Sequence, residues 1–137
     1  MAHPDLDALL NAVLPFAKQS LEKRGGFFPF AAKMNSSGKV ALVGADPGGT
    51  QTPSGVLELL QAGLKESAAR GELRAVAVCV DATVQVPGGE KSDAVRVKVE
   101  RQGESLFVFV PYARRFLLGI KYGDLFASPA PAEYFGA

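Results

Sequence analysis

Residues 74–86 read Arg-Ala-Val-Ala-Val-Cys-Val-Asp-Ala-Thr-Val-Gln-Val, and the fold turns on how this run is understood. Valine occupies even positions 76, 78, 80, 84 and 86, while Ala75, Ala77, Cys79, Asp81, Thr83 and Gln85 occupy the odd ones. A two-residue period rich in β-branched side chains belongs to a strand, whose successive side chains point to opposite faces. The odd face starts small and ends polar. That gradient predicts a helix lying close over the first half while the second half emerges into solvent.

Downstream, Pro87 to Glu90 read as a turn, and residues 93–102 alternate, with Val95, Val97 and Val99 expected inward and Arg96, Lys98 and Glu100 outward. Gln102 and Gly103 turn the chain again. Leu106 to Val110 is apolar at every position, which predicts a strand covered on both faces and central in its sheet. Beyond Pro111 the periodicity fades, so residues 112–137 are expected to form a mostly irregular tail. Leu125, Phe126, Tyr134 and Phe135 would pack it back on the body, with residues 128–131 extended.

Upstream, residues 27–34 and 39–45 form two β-like runs separated by the turn cluster Asn35-Ser-Ser-Gly38, which predicts an antiparallel hairpin. Before it, Leu6, Leu9, Leu10, Val13, Phe16, Ala17 and Leu21 recur at helical spacing over residues 5–24, and Gly25-Gly26 supplies a stop. Pro15 predicts a kink or break near Asn11. Residues 1–4 are expected to be flexible. Thr52-Pro53 reads as an N-cap and first residue of a second helix running to about Arg70, with an apolar face of Val56, Leu57, Leu59, Leu60 and Leu64.

The expected architecture is an α+β domain over residues 1–137: a five-stranded antiparallel sheet with elements in the order α-β-β-α-β-β-β. Both helices lie on one face, and the irregular C-terminal tail packs on the body. The 137 residues suffice for one core without a disulfide or metal staple. The single Cys79, set in an apolar run, reads as a small buried hydrophobe. The first residues lack the basic lead and apolar stretch of a signal peptide, and no run reaches the length of a membrane span. A cytoplasmic location is therefore expected. The net charge of +1 gives no electrostatic reason to expect nucleic acid or membrane as partner.

The segment Leu21-Glu-Lys-Arg-Gly-Gly-Phe-Phe-Pro-Phe-Ala-Ala, the hairpin after it and the run Ala75 to Asp81 resemble a group of small bacterial proteins known as domains of unknown function. The order of elements is similar to that of Roadblock, longin and other profilin-like domains. That resemblance implies adaptors and regulators that work through dimerisation or partner docking.

Candidate chemistry is sparse. His3 is the only histidine and Cys79 the only thiol, so zinc sites of Cys/His spacing and histidine-based triads lack their parts, and neither a metal nor a cofactor is expected. The loop Gly44-Ala-Asp-Pro-Gly-Gly-Thr50 is glycine-rich between strand and helix, but Thr50 stands where a phosphate-binding loop needs lysine; turn chemistry accounts for the glycines. Asp81 and Asp93 flank the Pro87 turn and offer a carboxylate pair, or simply solvated acids beside a turn. Arg114, Arg115 and Lys121, interleaved with Tyr112, Phe116 and Tyr122, form the densest basic cluster, suited to a carboxylate or phosphate, or to snorkelling over the core. No catalytic residue is assigned, and an enzyme is disfavoured. The expected function is a non-enzymatic protein-interaction or regulatory module with a protein partner or as a homodimer. One variant is an immunity or chaperone-type partner of a neighbouring gene product. The alternative is a small-molecule or anion-binding protein using Asp81, Asp93, Arg114, Arg115 or Lys121.

Overall fold

A computed structural model describes residues 3–44 and 52–136. The elements run α1 (Pro4–Arg24), β1 (Phe30–Asn35), β2 (Val40–Gly44), α2 (Pro53–Ala69), β3 (Leu73–Gln85), β4 (Lys91–Arg101), β5 (Glu104–Arg115), β6 (Gly119–Tyr122) and β7 (Phe126–Pro129). The α+β class and the antiparallel sheet are as the sequence predicts. The strand count is not. Residues expected as an irregular tail supply two further strands, giving the order β2-β1-β3-β4-β5-β6, with β7 also paired to β5. β6 pairs with residues 112–115 and β7 with residues 106–109, so two short segments share one edge of β5. Among the described residues no helix is long and apolar enough to cross a membrane.

α1 is unbroken through Pro15. It starts on His3, whose Nδ1 accepts from the Asp5 N–H at 3.1 Å, and ends on Gly25, which takes φ 78° and donates to the Leu21 carbonyl. His3, expected in a fraying terminus, is thus the N-cap. A salt-bridged fork fixes the same end to the sheet: Arg74 donates from Nε and Nη2 to the two Asp5 oxygens at 2.9 and 2.8 Å. This pair holds the Asp5 carboxyl below the usual carboxylate range, and the hydrogen bond from Arg74 is the leading cause.

The helices lie on opposite faces of the sheet, not on one. Leu6, Leu9, Val13, Ala17 and Leu21 of α1 cover Ala75, Ala77 and Cys79 of β3 and the valines 95, 97 and 99 of β4. The small odd face of β3 is what lets a helix approach closely, as its sequence gradient predicts. Val56, Leu60 and Leu64 of α2 pack on the other side, against Ala31, Val76 and Val78. A first strand half flanked by valine on one side and alanine on the other is apolar on both, so a helix belongs on each; the periodicity of β3 alone does not say this. β5 is correspondingly next to the edge, not central.

α2 covers only the β1–β3 side of its face. The remainder is closed by the C-terminal segment, where Tyr134 is buried with the α2 cluster. Here the largest correction falls. Lys98 and Glu100, expected outward into water, are buried, and Glu100 completely so. The Glu100 carboxylate accepts three backbone bonds: Glu133 N–H at 2.9 Å to Oε1, then Tyr134 and Phe135 N–H, each at 3.0 Å, to Oε2. Lys98 Nζ stands 3.2 Å from Glu100 Oε1, and donates at 2.6 Å both to Glu133 Oε1 and to the Pro131 carbonyl. A buried charge is tolerated only when it is paired and hydrogen-bonded, and both conditions hold.

Candidate functional site

Asp81, Asp93 and Arg114 do come together, at the end of the sheet beyond the last turn of α1. Asp81 on β3 and Asp93 on β4 share a face, because Asp93 is the register partner of Thr83, two residues along. Tyr112 of β5 lies opposite Asp93 and reaches across to Asp81, donating its hydroxyl to Oδ1 at 2.6 Å. Burial, and then the bond to Asp81, push the Tyr112 phenol well above its usual value. Such a phenol keeps its proton at neutral pH and acts as a tie between β3 and β5 rather than a general acid or base. Arg114 Nη1 lies 3.7 Å from Asp93 Oδ2, while its Nη2 donates to the Gly25 carbonyl. These groups satisfy one another. Among the described residues no three His, Cys, Asp or Glu side chains gather to hold a metal ion.

The basic cluster does not converge. Arg114 faces the α1 side of the β5–β6 ribbon, while Arg115 and Lys121, the latter opposite Ala113, belong to the other side. Arg115 is used locally, its Nη2 donating at 2.9 Å to the Leu118 carbonyl across the turn. Three cations spread over two faces cannot grip one carboxylate or phosphate. Cys79 lies under α1, and burial drives its thiol far above the ordinary value, so its nucleophilic form is absent at neutral pH. The glycine-rich loop after β2 falls on residues 45–51, outside the described ones.

A cleft of about 360 Å³ opens between the first turn of α2 and the outer part of β3, lined by Phe27, Pro53, Leu57, Val80 and Ala82, with Arg96 at its side. Arg96 lies over the Phe107 ring, 5.3 Å from its centroid, and the Asp81 carboxylate is engaged by Tyr112. Ser54 is the remaining polar side chain of its described lining, and its mostly apolar walls offer few polar groups of the kind that orient a small ligand.

The outer edge of β2 is different. Among the described residues β2 pairs with β1 alone. Its sequence Val40-Ala-Leu-Val-Gly44 has no charge and no proline, two of the devices by which exposed edges are blunted. The hairpin is closed by Asn35 N–H donating to the Lys39 carbonyl, and alternation from that pair turns the amides and carbonyls of Val40, Leu42 and Gly44 away from β1. Leu42 is exposed on the α1 side. On the other side a cleft of about 250 Å³ separates the edge from α2, lined by Val43, Gly44, Leu59, Leu60, Gly63 and Leu64, with Lys33 at its rim. Gly63 weakens its helix by about 1 kcal/mol relative to alanine, and a β-carbon there would meet open space. The sequence contained the strand but not its position in the sheet, which depends on long-range pairing.

No family model, curated protein or solved structure matches this chain.

Proposed function

We propose that this chain is a non-catalytic interaction module that receives an extended strand on the outer edge of β2, with a second copy of itself as the partner. The observation that carries this reading is the row of outward backbone groups on an uncharged apolar strand beside the α2 cleft. Strand addition draws affinity from main-chain hydrogen bonds and specificity from pockets for alternate side chains, and β2 offers both. Two β2 strands paired antiparallel about a two-fold axis would join the sheets into one and place Leu42 of each copy near the axis. The resemblance in element order to Roadblock and longin domains, which work by dimerisation and docking, agrees with this reading.

Sedimentation equilibrium of the full chain across a wide concentration range tests it. The wild type is expected to associate. Leu42→Pro removes an outward donor while leaving the bonds to β1 untouched, and it should be monomeric with an unchanged fold. A wild-type chain that stays monomeric at about millimolar concentration, where even weak specific pairing is populated, contradicts the proposal. So does an oligomer indifferent to Leu42→Pro and Leu42→Lys.

A further inference from the structure

Among the described residues the most exposed apolar side chains lie at the opposite side of the sheet, on the hairpin joining β5 to β6. Phe116, Leu117 and Leu118 are 90%, 86% and 68% exposed. Their turn is held in shape, since Leu118 N–H donates to the Arg115 carbonyl at 3.1 Å while Arg115 Nη2 donates back to the Leu118 carbonyl. Leu117 has φ 62°, a left-handed conformation that favours glycine or asparagine over leucine. Neither the turn nor the core calls for an apolar residue at these positions.

Within the hairpin itself the charges are of one sign. From Tyr112 to Gly123 the chain carries Arg114, Arg115 and Lys121 and no acid. Arg115 and Lys121 stand on one side of the ribbon and Arg114 on the other, so the cations that fail to form a pocket form a collar instead. Arg114 reaches the Gly25 carbonyl, which brings Lys23 and Arg24 of the last turn of α1 to the same end. Acids also stand at this end, each tied to a neighbour in the fold. Glu22 accepts from the Tyr122 hydroxyl at 3.1 Å, Asp81 from that of Tyr112, and Asp93 neighbours Arg114.

The geometry points to a membrane-surface anchor: the Phe116–Leu118 tip inserts at the headgroup–acyl boundary of a bilayer containing anionic lipid, while Arg115 and Lys121 meet the lipid headgroups. Apolar residues at the point and cations one step behind match the depth order of a bilayer surface. The tip is convex and its cations diverge, whereas a protein hot spot is desolvated at the centre of a complementary pocket.

Co-sedimentation of the full chain with phosphatidylcholine vesicles, alone or mixed with phosphatidylserine, tests the anchor. Binding is expected to the mixed vesicles at low salt and to fall as salt is raised. The variant F116S/L117N/L118S should bind at least about tenfold more weakly, and Arg115→Gln or Lys121→Gln roughly fivefold each. A thermal melt at or above that of wild type shows that these variants are folded; Leu117→Asn alone is the control should the triple variant fail to fold. Leu42→Pro should bind vesicles as wild type does, which separates this test from that of the β2 edge. Failure of the wild type to bind phosphatidylserine vesicles, or equal binding by the triple variant, overturns the proposal. Self-association that the triple variant abolishes, without lipid binding, also overturns it and assigns the tip to a protein contact.

Discussion

Lys98 and Glu100 on β4 and Phe116 to Leu118 at the β5–β6 tip are opposite departures from the same rule. On β4 two charged side chains are buried, and at the tip three apolar ones stand in water. The charges are buried because the chain covers them with its own residues 131–135 and supplies a donor to each carboxylate oxygen. The tip is bare because no described residue reaches it. Alternation in a sequence therefore tells which side chains share a face, but what covers that face is decided by elements far away in the chain.

Substitutions at the two places should separate them widely. Glu100→Ala leaves three amides without an acceptor and Lys98 with one fewer counter-charge, and such losses cost about 3–5 kcal/mol. Urea denaturation reads this directly, and Phe116→Ser in the same series should lie within about 0.5 kcal/mol of wild type. A mild Glu100→Ala would mean that the C-terminal segment is not held as described.

The next effect sharpens the contrast at the end of the sheet. Tyr112→Phe removes a bond to a carboxylate and is expected to cost about 1.5–3 kcal/mol. The phenols also set an alkaline limit. Burial and the bond to Glu22 push Tyr122 up to about 12, so the stability it confers is intact below pH 10 and is lost as pH rises from there through about 12. Tyr122→Phe should flatten that limb of the stability profile.

Smaller changes follow, of the opposite sign. Leu117→Gly relieves a left-handed leucine and should stabilise the fold by up to about 1 kcal/mol, raising Tm by a few degrees in a calorimetric scan. A loss of stability would show that the tip packs on something. Smallest is Tyr134→Phe. Among the described residues the buried Tyr134 hydroxyl has no hydrogen-bond partner, so its removal should leave the unfolding free energy read from urea denaturation within about 0.5 kcal/mol of wild type.

Much of the fold was legible because its signals are local. The Thr52-Pro53 start of α2, the Gly25 stop of α1 and the Asn35–Gly38 turn each act over a few residues, and each appears where it was expected. β6 and β7 were missed because four-residue strands show no period. They exist only because β5 presents an open edge to them. The burial of Lys98 and Glu100 was illegible for a related reason, since their partners lie more than thirty residues away. Of the candidate site, Asp81, Asp93 and Arg114 do meet, but to satisfy one another. The basic residues 114, 115 and 121 are concentrated in the sequence, yet strand alternation divides them between two faces. The sequence shows Phe116 only as an aromatic beside the basic residues and gives no sign of Leu117 and Leu118, because exposure is not written in composition. Whole-chain neutrality likewise hides a segment whose charges are all positive.

Residue-resolved amide hydrogen exchange of the full chain reads the closed face and the open edge together. The account predicts slow exchange at Glu133, Tyr134 and Phe135, comparable to central β3 and β4. It predicts fast exchange at Val40, Leu42 and Gly44 at low concentration, becoming slow as the protein is concentrated. Coil-like exchange at residues 133–135, or protection of the outward β2 amides in dilute monomer, would contradict it.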